Sequence, residues 1–397
     1  MLDCSIYSSS IFDRYLKIVM TNPTICFATI CKNESHIIKR TLESVYKYIS
    51  YWVICDTGST DNTREIITEF FKEKNIPGEL HIDEFKDFGY NKSLLMKRAQ
   101  YKADYILQID ADDPLIGEFK FTQQDVGHDV YLANVKRGTT NYKAFTLFNA
   151  KRLWKFCSVA HTVIKTIDNP YFTTGDLTHY DFYVSSEDIG ARKADPEKYL
   201  KDAKKLKKQF FDTLLDDPDD LNLRSIFYTA QSYMDYGMHE EAIRWYRLYT
   251  KIRGNWLEEH FEAQLRIANC YIRLDAGSNL IEHEMKKAID IYPDRAEPYF
   301  ILGNYFNNKK QSEKAYYYLK QAQSKDVELV KQKYLLFINE FNYGKYVNDE
   351  LSVACYWTYR YDEGIKLIEE IIDDPKHNHD NKRLLDNLNF LKQKINK

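Results

Sequence analysis

Between Thr24 and Asp113 the chain alternates short apolar runs with amphipathic ones, and this alternation restricts its fold more than any other feature. Thr24-Ile25-Cys26-Phe27-Ala28-Thr29-Ile30-Cys31 reads as a strand buried on both faces. The helix expected next places Ile37, Ile38, Leu42, Val45 and Ile49 on one side. Trp52-Val53-Ile54-Cys55 is a second strand, Leu80-His81-Ile82 a weaker third, and residues 104–109 a fourth. Helices are expected between them, one with Ile66, Ile67 and Phe70 inward and one over 91–102. Gly58 permits a tight turn after Asp56, and Ser59 or Thr60 is placed to cap the helix that follows. Strand and helix in alternation pack as a parallel, Rossmann-like α/β sheet.

The ends of these strands carry the chemistry. Tyr105-Ile106-Leu107-Gln108-Ile109 closes on Asp110-Ala111-Asp112-Asp113-Pro114. Acids at the end of a buried strand call for a cation or a polar ligand, although Asp and Pro are also ordinary turn residues. In open α/β sheets, ligands bind beyond the carboxyl ends of the strands. Asn33-Glu34, Asp56 to Asp61, Asn91-Lys92 and Asp110 to Asp113 should therefore converge. Mg²⁺ or Mn²⁺ takes oxygen ligands, often one or two carboxylates together with substrate phosphates. An acid on an earlier strand would accept hydrogen bonds from a base or ribose, which describes a nucleotide-sugar site. Glu34 reads equally as an acid favoured at a helix start. Asp61 and Asn62 read as turn and first-turn residues, and Asp113 is the alternative to Asp112 as the metal ligand.

Past Asp113, residues 130–135, 145–148 and 161–164 read as strands without helices between them, an antiparallel extension on the acceptor side. In that reading His161 is a core histidine of its strand. Residues 179–195 hold His179, Asp181, Glu187, Asp188 and Arg192 with little apolar content, and are expected to form a loop over the site. Asp195 is placed to cap a helix, with Pro196 at its first position.

A second domain follows. Ala230, Tyr233, Ala242 and Tyr246 share their spacing with Gly303, Phe306, Ala315 and Leu319. Ala268, Tyr271, Ala288 and Pro293 form a third copy with one extra residue, and Cys355, Gly364 and Ile371 a degenerate fourth. Small residues where helices touch, with aromatics filling the gaps, resemble tetratricopeptide repeats. The expected division is an arm over 1–22, the sheet domain over 23–194, a linking helix over 195–220, and repeats over 221–397. Tyr228, Tyr233, Tyr236, Trp245, Tyr246 and Tyr249 crowd one repeat, either as core or as a surface for sugar or peptide.

Composition removes several classes of function. The 397 residues are 44% hydrophobic with a formal net charge of -3, which gives no electrostatic case for nucleic acid. No apolar run reaches the length of a membrane span, and no secretory leader is recognised. Seven cysteines, an odd number without a Cys-x-x-Cys pair, suit a reducing, cytoplasmic compartment.

Cys31-Lys32-Asn33-Glu34, Cys55-Asp56-Thr57-Gly58-Ser59-Thr60-Asp61-Asn62 and Gln108-Ile109-Asp110-Ala111-Asp112 resemble family 2 glycosyltransferases of the GT-A fold. The closest resemblance is to those with C-terminal tetratricopeptide repeats. Asp87-Phe88-Gly89-Tyr90-Asn91-Lys92, Trp154-Lys155-Phe156 with His161, and Ala194 to Tyr199 resemble further segments of that subgroup. The resemblance implies an inverting transfer from a nucleotide-diphospho sugar, most often UDP-linked. Asp56 would contact uracil or ribose, Asp110 the ribose side, with Glu34, Asn91 and Lys92 also on the donor. Asp112, with His179 nearby, would ligate Mn²⁺ or Mg²⁺ on the diphosphate. The base would come from Asp188, Asp176, Glu187 or Asp181, with Asp188 placed first. Two departures stand out: His161-Thr162 replaces a His-Glu pair, and Lys92 stands where an Arg is expected, without its bidentate fork. The repeats would then hold a peptide or glycan acceptor, or support a homodimer. The rival reading is a catalytically idle transferase-like protein that binds peptides through its repeats.

Overall fold

The computed structural model describes residues 22–138, 140–187, 189–216, 223–252, 256–374 and 381–395. The arm expected over 1–22 lies, but for Asn22, outside the described residues. The chain divides into two compact units, one ending at Gln209 and one beginning at Phe210.

In the first unit, β1 (Ile25–Cys31), β2 (Tyr51–Asp56), β3 (Gly78–Ile82) and β4 (Tyr105–Gln108) are joined by α1 (Ile38–Val45), α2 (Thr63–Lys74) and α3 (Phe88–Ala99). The four strands run parallel in the order β3-β2-β1-β4. Alternate residues of each strand feed two cores. Phe27, Ile54 and Leu107 meet Ile38, Leu42, Ile67 and Phe71 of α1 and α2. Cys26, Ala28, Val53 and Ile106 face Leu95, Met96 and Ala99 of α3. Both faces of the sheet are thus covered, as continuous apolar strands require.

Beyond β4 the sheet becomes mixed. β5 (Leu115–Gly117), β6 (Val130–Arg137), β7 (Thr140–Asn149), β10 (Thr174–Asp176) and β11 (Phe182–Ser185) extend it, while β8 (Trp154–Cys157) and β9 (Val163–Thr166) form a separate hairpin. β7 is antiparallel to both β4 and β6, but β10 and β11 pair with β6 in parallel. The expected loop over 179–195 therefore contains a strand, because Phe182 and Val184 are buried in the sheet's core. His161 is exposed, with φ 49°, and precedes β9 instead of packing inside it. α4 (Lys198–Asp216) starts three residues after Asp195, whose carboxylate accepts from the Glu197 N–H at 3.0 Å. The boundary between the two units falls within this helix.

The second unit is built from antiparallel helix pairs: α5 (Arg224–Tyr236) with α6 (His239–Lys251), α7 (Leu257–Arg273) with α8 (Ser278–Ile291), and α9 (Glu297–Asn308) with α10 (Ser312–Gln323). After the short α11 (Val327–Lys333) come α12 (Lys345–Trp357) with α13 (Tyr361–Ile372), closed by α14 (Asn381–Ile395). Each copy of the sequence repeat is one of these pairs. A Cβ on Gly303 would stand 2.4 Å from Leu319 Cγ, and one on Gly364 3.1 Å from Cys355 Cβ, so the small residues mark the points of closest approach. The crowded aromatics are mostly core, since Tyr233, Trp245, Tyr246 and Tyr249 are buried while Tyr236 is exposed. The fourth copy is displaced by residues 334–344. That insertion is tied down by the buried Arg295–Glu297 pair, with Arg295 donating to Phe337 O and Tyr343 to Glu297, and by Glu258 accepting from the Leu335 and Leu336 N–H groups.

Candidate active site

β1 has β2 on one side and β4 on the other, so the chain changes direction between β1 and β4, where a crevice opens at the carboxyl edge. Leaving β1, Asn33 turns through a left-handed conformation (φ 57°) and its Oδ1 accepts from the Thr60 N–H at 2.7 Å. The Asn33 N–H donates to Ser59 Oγ (2.8 Å), that of Glu34 to Thr63 Oγ1 (2.8 Å), and that of Ser35 to Asp61 Oδ2 (3.1 Å). Ser59 and Thr60 thus hold the neighbouring loop instead of capping α2, which begins at Thr63. Burial pushes the Asp61 carboxyl up, but hydrogen bonds from Thr63 and Ser35 outweigh it and bring it down to about 2. Asp56 is fully buried, and its Oδ1 accepts from the N–H groups of Gly58 (3.0 Å) and Ser59 (2.9 Å).

The loops so fixed border a cavity of about 530 Å³. Glu34, Asp110 and Asp112 line it from the ends of β1 and β4. Asp112 Oδ2 accepts from the Gly190 N–H at 2.9 Å, and both oxygens of Glu34 lie 3.2 Å from the Ala191 N–H. A Cβ on Gly190 would stand 2.6 Å from Asp112 Oδ2, so only glycine lets this backbone sit against the acid. Burial raises the Glu34 carboxyl to about 7, with Asp112 adding to the effect and the Ala191 N–H opposing it. Asp113 is pushed to about 8 by burial and by Asp110 and Asp112. Asp110 goes the other way, because the Lys92 ammonium, 2.8 Å away, favours its ionised form.

The remaining walls are aromatic and basic. Phe85 and Phe88 meet edge to face (5.3 Å) ahead of and at the start of α3. Arg192 lies over Phe88 at 5.0 Å and ion-pairs with Asp202. Lys198, Lys201 and Lys205, on successive turns of α4, line the same cavity, as does Lys32 from the end of β1. Gln209 Oε1 holds α4 in place by accepting from the Val159 N–H (3.1 Å) and Ser158 Oγ (3.2 Å).

Other expected site residues are placed elsewhere. Asn91 is buried, and its amide is spent on the backbone, accepting from the Lys86 N–H and donating to Glu84 O, each at 3.0 Å. Asp176 pairs with Lys143 (2.9 Å) and caps Thr178, away from the cavity lining. His179 packs on Tyr180 at 4.1 Å, whose hydroxyl donates to Asp125, and it is not among the residues that line the cavity with Asp112. Asp181 is exposed and outside the lining. Glu187 is nearer, paired with Arg40 (2.9 Å), whose other nitrogen donates to Asp112 O (3.3 Å). Asp188 lies outside the described residues. The Gly190–Ala191 backbone also contributes to the site, and residue type signals it only through Gly190, since backbone N–H groups leave no mark of their own in a sequence.

Residues 26–118 match the family described as Glycosyl transferase family 2. The chain carries a family 2 glycosyl transferase domain. The matched span holds Glu34, Asp56, Asp110 and Asp112, and ends within a residue of β5. A TPR repeat-containing protein of Synechococcus elongatus is 32% identical over 104 residues, which are 26% of this chain and 24% of that protein. The chain thus matches about a quarter of the length of this curated relative. Among solved structures, MamA is 16% identical at a TM-score of 0.32, covering 44% of this chain and 83% of MamA. BtubC from P. vanneervenii is 15% identical at 0.38, covering 52% and 85%. The glycosyl transferase domain is followed by TPR-like helix pairs, and no described helix is long and apolar enough to cross a membrane.

Proposed function

We propose that this protein is a metal-dependent, inverting glycosyltransferase that moves a sugar from a nucleotide-diphospho sugar, most often UDP-linked, to a peptide or glycan acceptor. The observation that carries the reading is the convergence of Glu34, Asp110 and Asp112 with a basic wall in one cavity at the switch point of a family 2 domain. Among the described residues, no three His, Cys, Asp or Glu side chains are already grouped as a metal site. One or two carboxylates suffice where substrate phosphates complete the shell, and Asp112 with Glu34 beside it fits that arrangement. A bound Mn²⁺ or Mg²⁺ would neutralise charge on the leaving phosphate. Asp110, kept ionised by Lys92, is suited to accept from ribose hydroxyls, and the Phe85–Phe88 corner offers an apolar surface in the same cavity. Asp56 would act at one remove, by fixing the turn that carries Gly58 and Ser59.

Thr162 beside His161 favours the second reading, an idle transferase-like domain whose repeats bind peptides. One experiment separates the two. UDP-sugars and GDP-sugars are screened by thermal shift in Mn²⁺, and release of nucleoside diphosphate is then followed with each donor that binds. Transfer predicts release with at least one donor, and loss of metal-dependent donor affinity in Asp112→Asn with melting temperature retained. Unchanged UDP affinity in that variant would sink the metal assignment. Donor binding without release, with a peptide captured by the full chain, supports the idle reading.

A further inference from the structure

The basic side chains of the cavity are not equivalent. Arg192 is engaged by Asp202 and Lys201 by Asp195 at 2.8 Å. Lys92, just outside the lining, is engaged by Asp110. Lys32 and Lys205 differ: among the described residues, neither has a carboxylate partner, and both line the cavity. The Lys205 ammonium rests 5.3 Å from the Phe85 ring centre, on the aromatic pair that forms one wall. The Lys32 ammonium lies over the turn after β2, where a Cβ on Gly58 would stand 3.9 Å from Nζ. One comes from α4 and the other from the end of β1, so the two charges border the cavity from separate elements.

A cavity with Glu34 and Asp112 at one end repels phosphate unless cations oppose them. We propose that Lys32 and Lys205 bind the diphosphate of the donor, which makes the first turns of α4 part of the donor site and not only a link to the repeats. This deepens the nucleotide-sugar reading and rests on it. The two ammonium groups match the two negative charges of a nucleotide-diphospho sugar's diphosphate. Lysine suits the task as a point charge on a flexible stem. Arg192 and Lys201, already paired, set the position of α4 against Phe88 and Asp195.

The test uses the full chain in Mn²⁺ and measures affinity for UDP, UMP, uridine and inorganic pyrophosphate by calorimetry. Lys205→Gln and Lys32→Gln should each lower UDP affinity about tenfold, the scale of one lost hydrogen bond between charged groups, and leave uridine affinity unchanged. Lys205→Arg, which keeps the charge, should restore most of the loss. Both side chains are exposed, so the variants should melt with the wild type. Unchanged UDP affinity in both variants overturns the proposal and leaves the nucleotide-sugar reading standing. Equal losses for UDP and uridine overturn it too, because they indicate a distorted site. If the wild type binds pyrophosphate but no nucleotide, and the variants lose pyrophosphate, the anion site stands and the nucleotide reading falls. If it binds neither, both fall.

Discussion

Single residues in the first unit divide into those that build loops and those that face the cavity, and residue type alone does not separate them. Asp56, Asp61 and Asn91 are spent on backbone groups and hydroxyls, whereas Glu34, Asp110 and Asp112 line the cavity. The sequence shows which acids stand at strand ends, because a strand ending in carboxylates is legible from local order. It does not show which acids are satisfied internally, since that depends on turns such as Asn33's that bring distant N–H groups within reach. Asp61 gives a test through pH. Its carboxyl lies at about 2 in the fold against an ordinary 3.8, so its stabilising contribution is complete above pH 3.8 and is lost as pH falls through the folded value. Asp61→Asn should therefore melt lower than the wild type at pH 6, and the gap should narrow toward pH 2. A gap that stays constant across this range would show that the charge of Asp61 contributes nothing. Gly190 tests the other class. Gly190→Ala sets a methyl group against Asp112 Oδ2, and donor affinity in Mn²⁺ should fall about tenfold, the equivalent of one misplaced charged contact, with little change in melting temperature. Calorimetry with UDP would show whether it does.

At the scale of elements, the parallel half of the sheet was readable because strands covered on both faces are apolar throughout and the helices between them keep one apolar side. β5, β8, β10 and β11 were not, since each has three or four residues and most pair with partners distant in sequence, as Phe182 does with Gly117. His161 falls outside its strand for the same reason: a short polar approach to a strand has no period of its own. The repeats were legible from their small residues, and Gly303 shows why such residues are required. Its ideal Cβ would sit 2.4 Å from Leu319 Cγ, and Leu319 is fully buried with no room to withdraw. Gly303→Ala should gain about 1 kcal/mol of helix propensity but lose roughly 1–3 kcal/mol to overpacking, for a net loss of stability. The two positions should also couple: in urea unfolding, Gly303→Ala combined with Leu319→Ala should cost less than the two single changes added together. Strict additivity would mean that this pair of helices does not touch at Gly303. Ala315→Leu, on the same helix as Leu319 and fully buried, should overpack by a similar amount.

At the scale of the whole chain, α4 belongs to both units, since its residues through Gln209 cluster with the sheet and those from Phe210 with the repeats. Its first turns carry Lys198, Lys201 and Lys205 into the cavity lining. Beyond the boundary, Phe210 and Phe211 meet Trp245 at 5.8 and 6.2 Å in the repeat unit. A truncation that respects this division keeps the whole helix and removes residues 217–397. Phe210, buried in the full chain, and the half-exposed Phe211 beside it are exchanged for Ser in it, because the indole of Trp245 that packs on them is gone. Every residue lining the cavity lies at or before Lys205, so the shortened chain keeps all the residues of the proposed donor site. Stacked helix pairs present an extended surface suited to an elongated partner, and a single sugar hydroxyl does not need four of them. The shortened chain should therefore bind UDP in Mn²⁺ with the affinity of the full chain, provided its circular dichroism and melting show a folded unit, yet transfer no sugar to an acceptor that the full chain modifies. Transfer at the full-length rate would show that the acceptor is held by the first unit alone and would give the repeats another task, such as pairing two copies of the chain. Loss of UDP binding from a folded truncation would instead make the donor site depend on residues beyond Asp216.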